Sequence, residues 1–465
     1  MNIHCIGIAG SGMFPLSLYL AHQGHTVTGS DRFLDSGVSS DTFSLLQARG
    51  ITLFPQDGSG ITGSTDEVIY SAAVEEDVPD RAKACSLGIP CLPRPKKLAH
   101  IFNTSRGIAV AGSSGKSTTS GMIAFLLHEA GYSPSLINGA AILNYADTEG
   151  GGAFLIGDSG LLCIEADESD GSLIHYMPEI GIVCNISRDH REIPELQSLF
   201  TEFACNCTKI IVNSSCARTA ETPIPDMNDA LSFGTDRDRS DFCITGLSGE
   251  LMRISFNINE CPFSIPVPGL YNAENAAAAC AAASLHGLSL QDCADILSRF
   301  RGLERRMNIV GKAGDITVID DFAHNPAKIT AALRTARPFG GRLVVLYQPH
   351  GYGPTQFVKN ELIQAFSDML TPDDILFITD IFYAGGTAEK TVTAQDLVHE
   401  TASEHASTFY VPRDSAASET ASAAMPGDAV IIMGARDISL PALARDILEE
   451  IRKRQDKKYW TGSQD

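Results

Sequence analysis

Residues 109–119 read Ala109-Val110-Ala111-Gly112-Ser113-Ser114-Gly115-Lys116-Ser117-Thr118-Thr119: an apolar run, a glycine turn, a lysine and hydroxyls. This order predicts a buried strand, a loop, and a helix whose first backbone N–H groups face an anion. The glycines let those N–H groups turn inward, Lys116 neutralises outer phosphate charge, and Ser117 offers a hydroxyl to Mg2+. Gly112, Ser113, Ser114, Gly115, Lys116, Ser117 and Thr118 therefore form a predicted cradle for the phosphates of ATP. The spacing is the shorter G-[ST]-x-G-K-[ST]-[ST] form, because Val110 stands where the longer phosphate-loop pattern has its first glycine.

Two further apolar runs end in polar residues. Leu161–Ile164 leads into Glu165-Ala166-Asp167-Glu168-Ser169-Asp170, and Ile180–Cys184 leads into Asn185-Ile186-Ser187-Arg188-Asp189-His190. Parallel sheets present ligands at the carboxyl ends of their strands, so Glu165 and His190 are placed to meet the phosphate loop through metal. Helix capping alone would also select the acidic run, and packing alone a histidine after a strand. From Gly269 to Gly287 the chain reads as an alanine-rich helix able to lie close to its neighbours, with Asn275 near its start as a reader of a base.

The N-terminal stretch supplies a second glycine turn. Ile3–Ile8 reads as a strand, Gly7-Ile8-Ala9-Gly10-Ser11-Gly12-Met13 as a turn into a helix, and Thr26–Gly29 as a second strand ending at Ser30-Asp31. This is the opening β-α-β of a doubly wound sheet, with Asp31 near the place where such folds contact a ribose. The spacing G-x-x-G-x-G differs from the nicotinamide fingerprint G-x-G-x-x-G. After Phe300, strands ending at Asp320-Asp321, Tyr347-Gln348, Thr379-Asp380 and Met433-Gly434 alternate with helical stretches, and Ser415–Ala424 reads as a surface helix. The fold class is α/β in three domains: an N-terminal Rossmann-like domain over 1–104, a central P-loop domain over 105–298, and a C-terminal Rossmann-like domain over 299–465.

Composition narrows the function classes. The 465 residues carry 35 basic and 56 acidic side chains, a net charge of -21, which repels phosphate backbones and argues against nucleic acid as a partner. Twelve cysteines without a C-x-x-C pair read as reduced thiols of a cytoplasmic protein. The start Met1-Asn2-Ile3-His4 has no basic leader, and no long apolar run predicts a membrane partner. The oligomeric state is not legible.

These motifs, in this order, resemble the Mur ligase family of bacterial cell-wall synthesis, over nearly the whole chain. The resemblance rests on Gly112–Thr118, Glu165-Ala-Asp-Glu-Ser-Asp-Gly-Ser172, Asn185-x-x-x-Asp189-His190 and Asn272-x-x-Asn275, and on Gly302-x-x-Arg305-Arg306 and Asp320-Asp-Phe-Ala-His-Asn-Pro326. Within the family, Gly7–Met13, the acidic motif, Thr379-Asp380-Ile381 with Ala384-Gly385, and Gly434–Ile438 look like the L-alanine-adding branch. Two features depart from it. Gln348-Pro349 is followed by His350-Gly351-Tyr352-Gly353-Pro354, where that branch carries His-Arg-Tyr-x-Arg, and Phe322 replaces a tyrosine. Phe322 and Arg306-Met307 look instead like the branch that attaches a murein tripeptide. The first lysine past His190 is Lys209, out of register for the carbamylated lysine of some relatives.

The resemblance implies an ATP-dependent amide ligase acting on UDP-N-acetylmuramate through an acyl phosphate, in peptidoglycan precursor synthesis. L-alanine is the implied amine, with the tripeptide L-Ala-γ-D-Glu-meso-diaminopimelate or another amino acid as the alternative. Lys116 would hold the outer phosphates, Ser117 and Glu165 one Mg2+, and His190 a second. Asn275 would read adenine, Arg306 and Asp321 would close over the nucleotide, and His324 would orient or deprotonate the amine. Gly10, Ser11, Gly12, Met13, Ser30 and Asp31 would hold the UDP portion, and His350 or Lys359 would take the place of the missing arginines. A nicotinamide oxidoreductase would leave the phosphate loop unexplained, and a non-catalytic nucleotide-binding regulator would not need Ser117, Glu165 and His190. Folate-polyglutamylating enzymes share the two later domains but not the UDP-type first one.

Overall fold

Five parallel strands open the chain: β1 (Asn2–Ile6), β2 (Thr26–Ser30), β3 (Thr52–Phe54), β4 (Glu67–Tyr70) and β5 (Cys91–Pro93), in spatial order β3-β2-β1-β4-β5. The computed structural model describes residues 1–465 except 38–40, 72–73, 149, 169–170, 189–190, 224–229, 238, 384–389, 405–406 and 462–465. β1 is shorter than its apolar run suggests, because Gly7 takes a φ of 75° and turns the chain out of the sheet. The order of strands reverses at β1, so the glycine turn after it faces the crevice where doubly wound sheets bind ligands.

A ten-stranded sheet follows: β6 (Arg106–Ala111), β7 (Ser135–Ile137), β8 (Phe154–Leu155), β9 (Leu161–Glu165), β10 (Ile180–Val183), β11 (Lys209–Asn213), β12 (Leu231–Gly234), β13 (Phe242–Glu250), β14 (Arg253–Ile258) and β15 (Cys261–Ile265). β6 lies between β9 and β10, parallel to both, which brings the carboxyl ends of all three together. The antiparallel extension β13-β14-β15 was not foreseen. Its signal is the alternation of buried and half-buried residues along Arg253–Ile258 and a tight turn at Asn259-Glu260, both with positive φ. The helix Asn272–Ser284 packs against the helix Lys116–Glu129, and its alanines from Ala276 to Ala283 are 0% exposed, so the small side chains set a close approach. The two sheets belong to one compact unit, Met1–Glu304, in which Tyr19 and His22 meet Phe154.

The second compact unit, Arg305–Asp465, holds the third sheet: β16 (Asn308–Ala313), β17 (Ile316–Asp321), β18 (Arg342–Gln348), β19 (Ile375–Ile378), β20 (Thr408–Tyr410) and β21 (Asp428–Gly434), ordered β16-β17-β21-β18-β19-β20. Among the described residues the edge strand β16 alone is antiparallel. Residues alternate between two apolar cores, one on each face. The expected surface helix is Ala416–Ala423, but Ala416, Thr420 and Ala421 are buried in one of those cores. None of the twelve cysteines is paired with another. Among the described residues no helix is long and apolar enough to cross a membrane.

Candidate active site

The phosphate loop is held open from beneath. β6 hands the chain to Gly112 (φ 134°) and Gly115 (φ 86°), torsions that favour glycine, and the helix Lys116–Glu129 starts directly after. Polar groups following β10 clasp the loop. The Ser114 N–H donates to Asn185 Oδ1 (3.0 Å), Asn185 Nδ2 donates to the Ser114 carbonyl (3.0 Å), and the Ser113 hydroxyl donates to the Ser187 carbonyl (2.9 Å). Lys116 Nζ donates to the Gly112 carbonyl (2.8 Å) and to Glu168 Oε2 (2.6 Å), with Asp167 Oδ1 at 3.9 Å. Burial alone would push the Lys116 ammonium down, but Glu168, Asp167 and Glu165 raise it above its ordinary value, so it stays charged.

Ser117 in the first helical turn and Glu165 at the end of β9 meet, the hydroxyl donating to Glu165 Oε2 at 2.5 Å. A Cβ at Gly139 would lie 2.1 Å from Glu165 Oε1, so that glycine leaves room for the carboxylate. Hydroxyl and carboxylate form an oxygen-only pair suited to Mg2+, which completes its shell with phosphate and water. Among the described residues no three His, Cys, Asp or Glu side chains gather as a metal cage. His190 and Asp189, and the expected Ala384-Gly385, lie outside the described residues.

Asn275, the expected base reader, lies against the phosphate loop. It is 7% exposed, accepts from the Thr119 hydroxyl (3.3 Å) and donates to Asn272 Oδ1 (2.9 Å), and a Cβ at Gly115 would come within 2.5 Å of its oxygen. Its amide braces the loop from inside.

Around the first glycine turn, Asp31 accepts from the backbone N–H groups of Ala9 (2.9 Å) and Phe33 (3.0 Å), and burial raises its carboxyl above the ordinary range. Two of the residues expected there have buried side chains. The Ser30 hydroxyl is buried and donates to Asp80, beside His4, so it is an internal strut. The Met13 side chain is in the core, and its N–H donates to the Gly10 carbonyl. Gly10, Ser11 and Gly12 remain on the accessible rim of the turn.

In the second unit, Asp321 is buried at a strand end and accepts from Met307 N–H and Ala323 N–H, both at 2.7 Å. Burial raises its carboxyl, opposed by Arg306 and those two bonds. Its oxygens brace the chain between Arg306 and Ala323. The guanidinium carbons of Arg305 and Arg306 lie 5.0 and 4.8 Å from the Phe322 ring centre. His324 Nδ1 is 2.8 Å from the Phe322 carbonyl, Lys328 Nζ is 3.4 Å from His324 Nε2, and the rings of His324 and His350 meet edge-to-face at 4.9 Å. Lys359 pairs with Glu400 (2.8 Å).

Three family models match successive stretches: the Mur ligase family catalytic domain over 2–106, the Mur ligase middle domain over 110–283, and the Mur ligase glutamate ligase domain over 305–436. The UDP-N-acetylmuramate--L-alanine ligase of Bdellovibrio bacteriovorus is 33% identical over 455 residues, covering 94% of this chain and 96% of that protein. The chain belongs to the Mur ligase family. The ligase of the same name from Myxococcus xanthus is 31% identical, covering 97% of this chain and 95% of that one. Among solved structures, the UDP-N-acetylmuramate-alanine ligase of Thermotoga maritima superposes with a TM-score of 0.79 at 23% identity, over 98% of this chain and 100% of that one. The murein peptide ligase of Psychrobacter arcticus gives 0.76 at 24%, over 97% and 99%. Both show the three-domain α/β fold of Mur ligases.

Two side chains of this Mur ligase went unremarked in the sequence. Arg94, which opens the helix Arg94–Phe102 directly after β5, puts its guanidinium where a Cβ on Gly12 would come within 3.1 Å. Gly12 has helical torsions (φ -92°, ψ -26°), so clearance for Arg94, and not backbone freedom, favours glycine there. Glu168 was visible only as one of several carboxylates. Its selection by Lys116 depends on the turn after β9.

Proposed function

We propose that the chain is the ATP-dependent ligase that joins L-alanine to the carboxylate of UDP-N-acetylmuramate. The observation that carries it is the convergence of Lys116 and Ser117, at the start of the helix after the glycine loop, with Glu165 and Glu168 at and just beyond the end of β9. In this reading the muramyl carboxylate oxygen attacks the γ-phosphorus of ATP and ADP leaves. The amine nitrogen then attacks the acyl carbon, loses a proton, and inorganic phosphate leaves as the amide forms. Lys116 exchanges Glu168 for an outer phosphate oxygen as the nucleotide enters, and the loop N–H groups hold the remaining charge. Ser117 and Glu165 would hold Mg2+, which neutralises phosphate charge when bound. The glycine turn at Gly10–Gly12, with Arg94 over it, receives the diphosphate of the UDP portion. We place the activity in the cytoplasm, in keeping with the unpaired cysteines.

A murein tripeptide as acceptor is the second reading. It is favoured by the backbone at Gly351, where φ is 68° and ψ 131°, a pairing open to glycine, so the arginine of the alanine-adding branch has no place in this loop conformation. Phosphate release should require ATP, Mg2+, UDP-N-acetylmuramate and an amine together. Comparing L-alanine, glycine, L-serine and L-Ala-γ-D-Glu-meso-diaminopimelate at equal concentration decides the acceptor. Preference for the tripeptide overturns the first reading, and amine-independent release overturns both.

A further inference from the structure

A polar knot is buried against the first sheet. His4 on β1, Ser30 on β2 and Asp80 in the first turn of the helix Pro79–Ser86 are each 0% exposed. The Ser30 hydroxyl donates to Asp80 Oδ2, and the Gly58 N–H donates to Asp80 Oδ1 at 2.6 Å. With the serine hydrogen engaged by the carboxylate, His4 Nε2, 3.3 Å from Ser30 Oγ and 3.7 Å from Asp80 Oδ2, carries a hydrogen toward both. His4 Nδ1 meets the Thr28 hydroxyl at 2.8 Å. A Cβ on Gly60 would come within 2.6 Å of the imidazole, so the loop after β3 closes directly over the ring.

Serine, histidine and aspartate here do not make a nucleophile. In a nucleophilic triad the histidine stands between the other two and takes the serine proton. In this knot the serine donates straight to the aspartate, and all three side chains are shut away from solvent. A buried carboxylate is costly unless its donors stay in place, so the group holds together as a unit.

The adjoining backbone shows what the knot holds. The Ser30 carbonyl accepts from the N–H groups of Gly7 (2.8 Å) and Ile8 (3.1 Å), and the carboxylate of Asp31 accepts from the Ala9 N–H (2.9 Å). Three consecutive N–H groups at the entrance to the glycine turn thus hang on two consecutive residues at the end of β2. The first of those two is tied through its side chain to Asp80. A path of hydrogen bonds runs from Asp80 through Ser30 to residues 7–9, and the chain continues directly into Gly10–Gly12.

We propose that Asp80 is a positioning residue for the diphosphate turn, acting through Ser30 to hold Gly10–Gly12 in the shape that receives UDP-N-acetylmuramate. This rests on the ligase reading above and names the buried group that sets affinity for that one substrate. The test uses the full chain and the variants Asp80→Asn, which replaces one of the two accepting oxygens with a donor, Ser30→Ala, and both together. Asp80→Asn should raise the KM for UDP-N-acetylmuramate about ten-fold, with kcat and the KM for MgATP within about two-fold of wild type. The calorimetric Kd for UDP-N-acetylmuramate should rise in parallel. Because the two side chains act through one bond, the double variant should be no weaker than Asp80→Asn alone. Equal rises in both KM values, no rise for UDP-N-acetylmuramate, or effects that multiply in the double variant overturn the proposal and leave the ligase reading intact. If Asp80→Asn does not fold, Ser30→Ala decides by the same split between the two KM values. A wild-type chain that binds no UDP-N-acetylmuramate removes the ligase reading, and this proposal with it.

Discussion

Gly115 and Gly12 show how one residue type serves two physical ends. At Gly115 a φ of 86° and the Asn275 oxygen 2.5 Å from a would-be Cβ both exclude a side chain. Gly115→Ala should cost about 1–2 kcal/mol of stability, read by urea unfolding, and weaken ATP binding. Gly12→Ala meets only the far end of Arg94, so the unfolding midpoint should hardly move while the affinity for UDP-N-acetylmuramate falls; an unchanged affinity would separate Arg94 from the substrate. Lys116→Ala removes an ammonium poised at the loop and should raise the barrier to phosphate release by on the order of 3 kcal/mol. Near-normal turnover would sink the phosphate-loop assignment. The loop residues were legible because glycine, lysine and hydroxyl have fixed order along one strand-loop-helix. The bracing contacts of Asn275 and Ser30 were not legible, because a polar residue beside a ligand turn has the same local signature whether it faces out or braces the turn from within. Only burial and partners distinguish the two. Arg94 was silent because nothing in Pro93-Arg94-Pro95 indicates which glycine the guanidinium overlies.

At the level of elements, the alternation of apolar runs and helical stretches gave most strands of the three sheets, and polar residues at their carboxyl ends marked the edge where the glycine loops gather in the first two. The meander β13-β14-β15 escaped that reading because its signal has a period of two residues inside a region read for parallel strands. Its turn offers a direct check. Asn259 and Glu260 both hold positive φ, 46° and 69°, which costs a residue with a Cβ more than it costs glycine. Glu260→Gly should therefore stabilise the chain by about 0.5 kcal/mol, after allowing for the greater freedom of glycine in the unfolded state. The alanine helix behaves in the opposite sense. Ala279 is fully buried on a helix packed against Lys116–Glu129, so Ala279→Leu should overpack that contact and destabilise by about 1–3 kcal/mol. An unaltered urea midpoint would mean that the two helices are looser than their small residues imply.

For the whole molecule, the division at Glu304/Arg305 separates hydrophobic cores as well as folds. In Arg305–Asp465 the six-stranded sheet is covered on both faces from within the same unit. Leu343, Val345 and Ile431 meet Ile329, Leu333 and Phe366 on one side, while Val344, Leu346 and Ile432 meet Leu443, Ala444 and Ile447 on the other. A mostly parallel sheet requires cover on both faces, and this one obtains it without residues from the first unit. The apolar content of this segment is thus committed to its own core, the condition for a stretch of this length to fold alone. The separate piece 305–465 should accordingly unfold cooperatively in urea with native-like circular dichroism, and the full chain should unfold in more than one step, one of them matching the midpoint of the piece. A piece without a cooperative transition would show that the first unit contributes to the stability of the second, and the two would then have to be treated as a single folding unit.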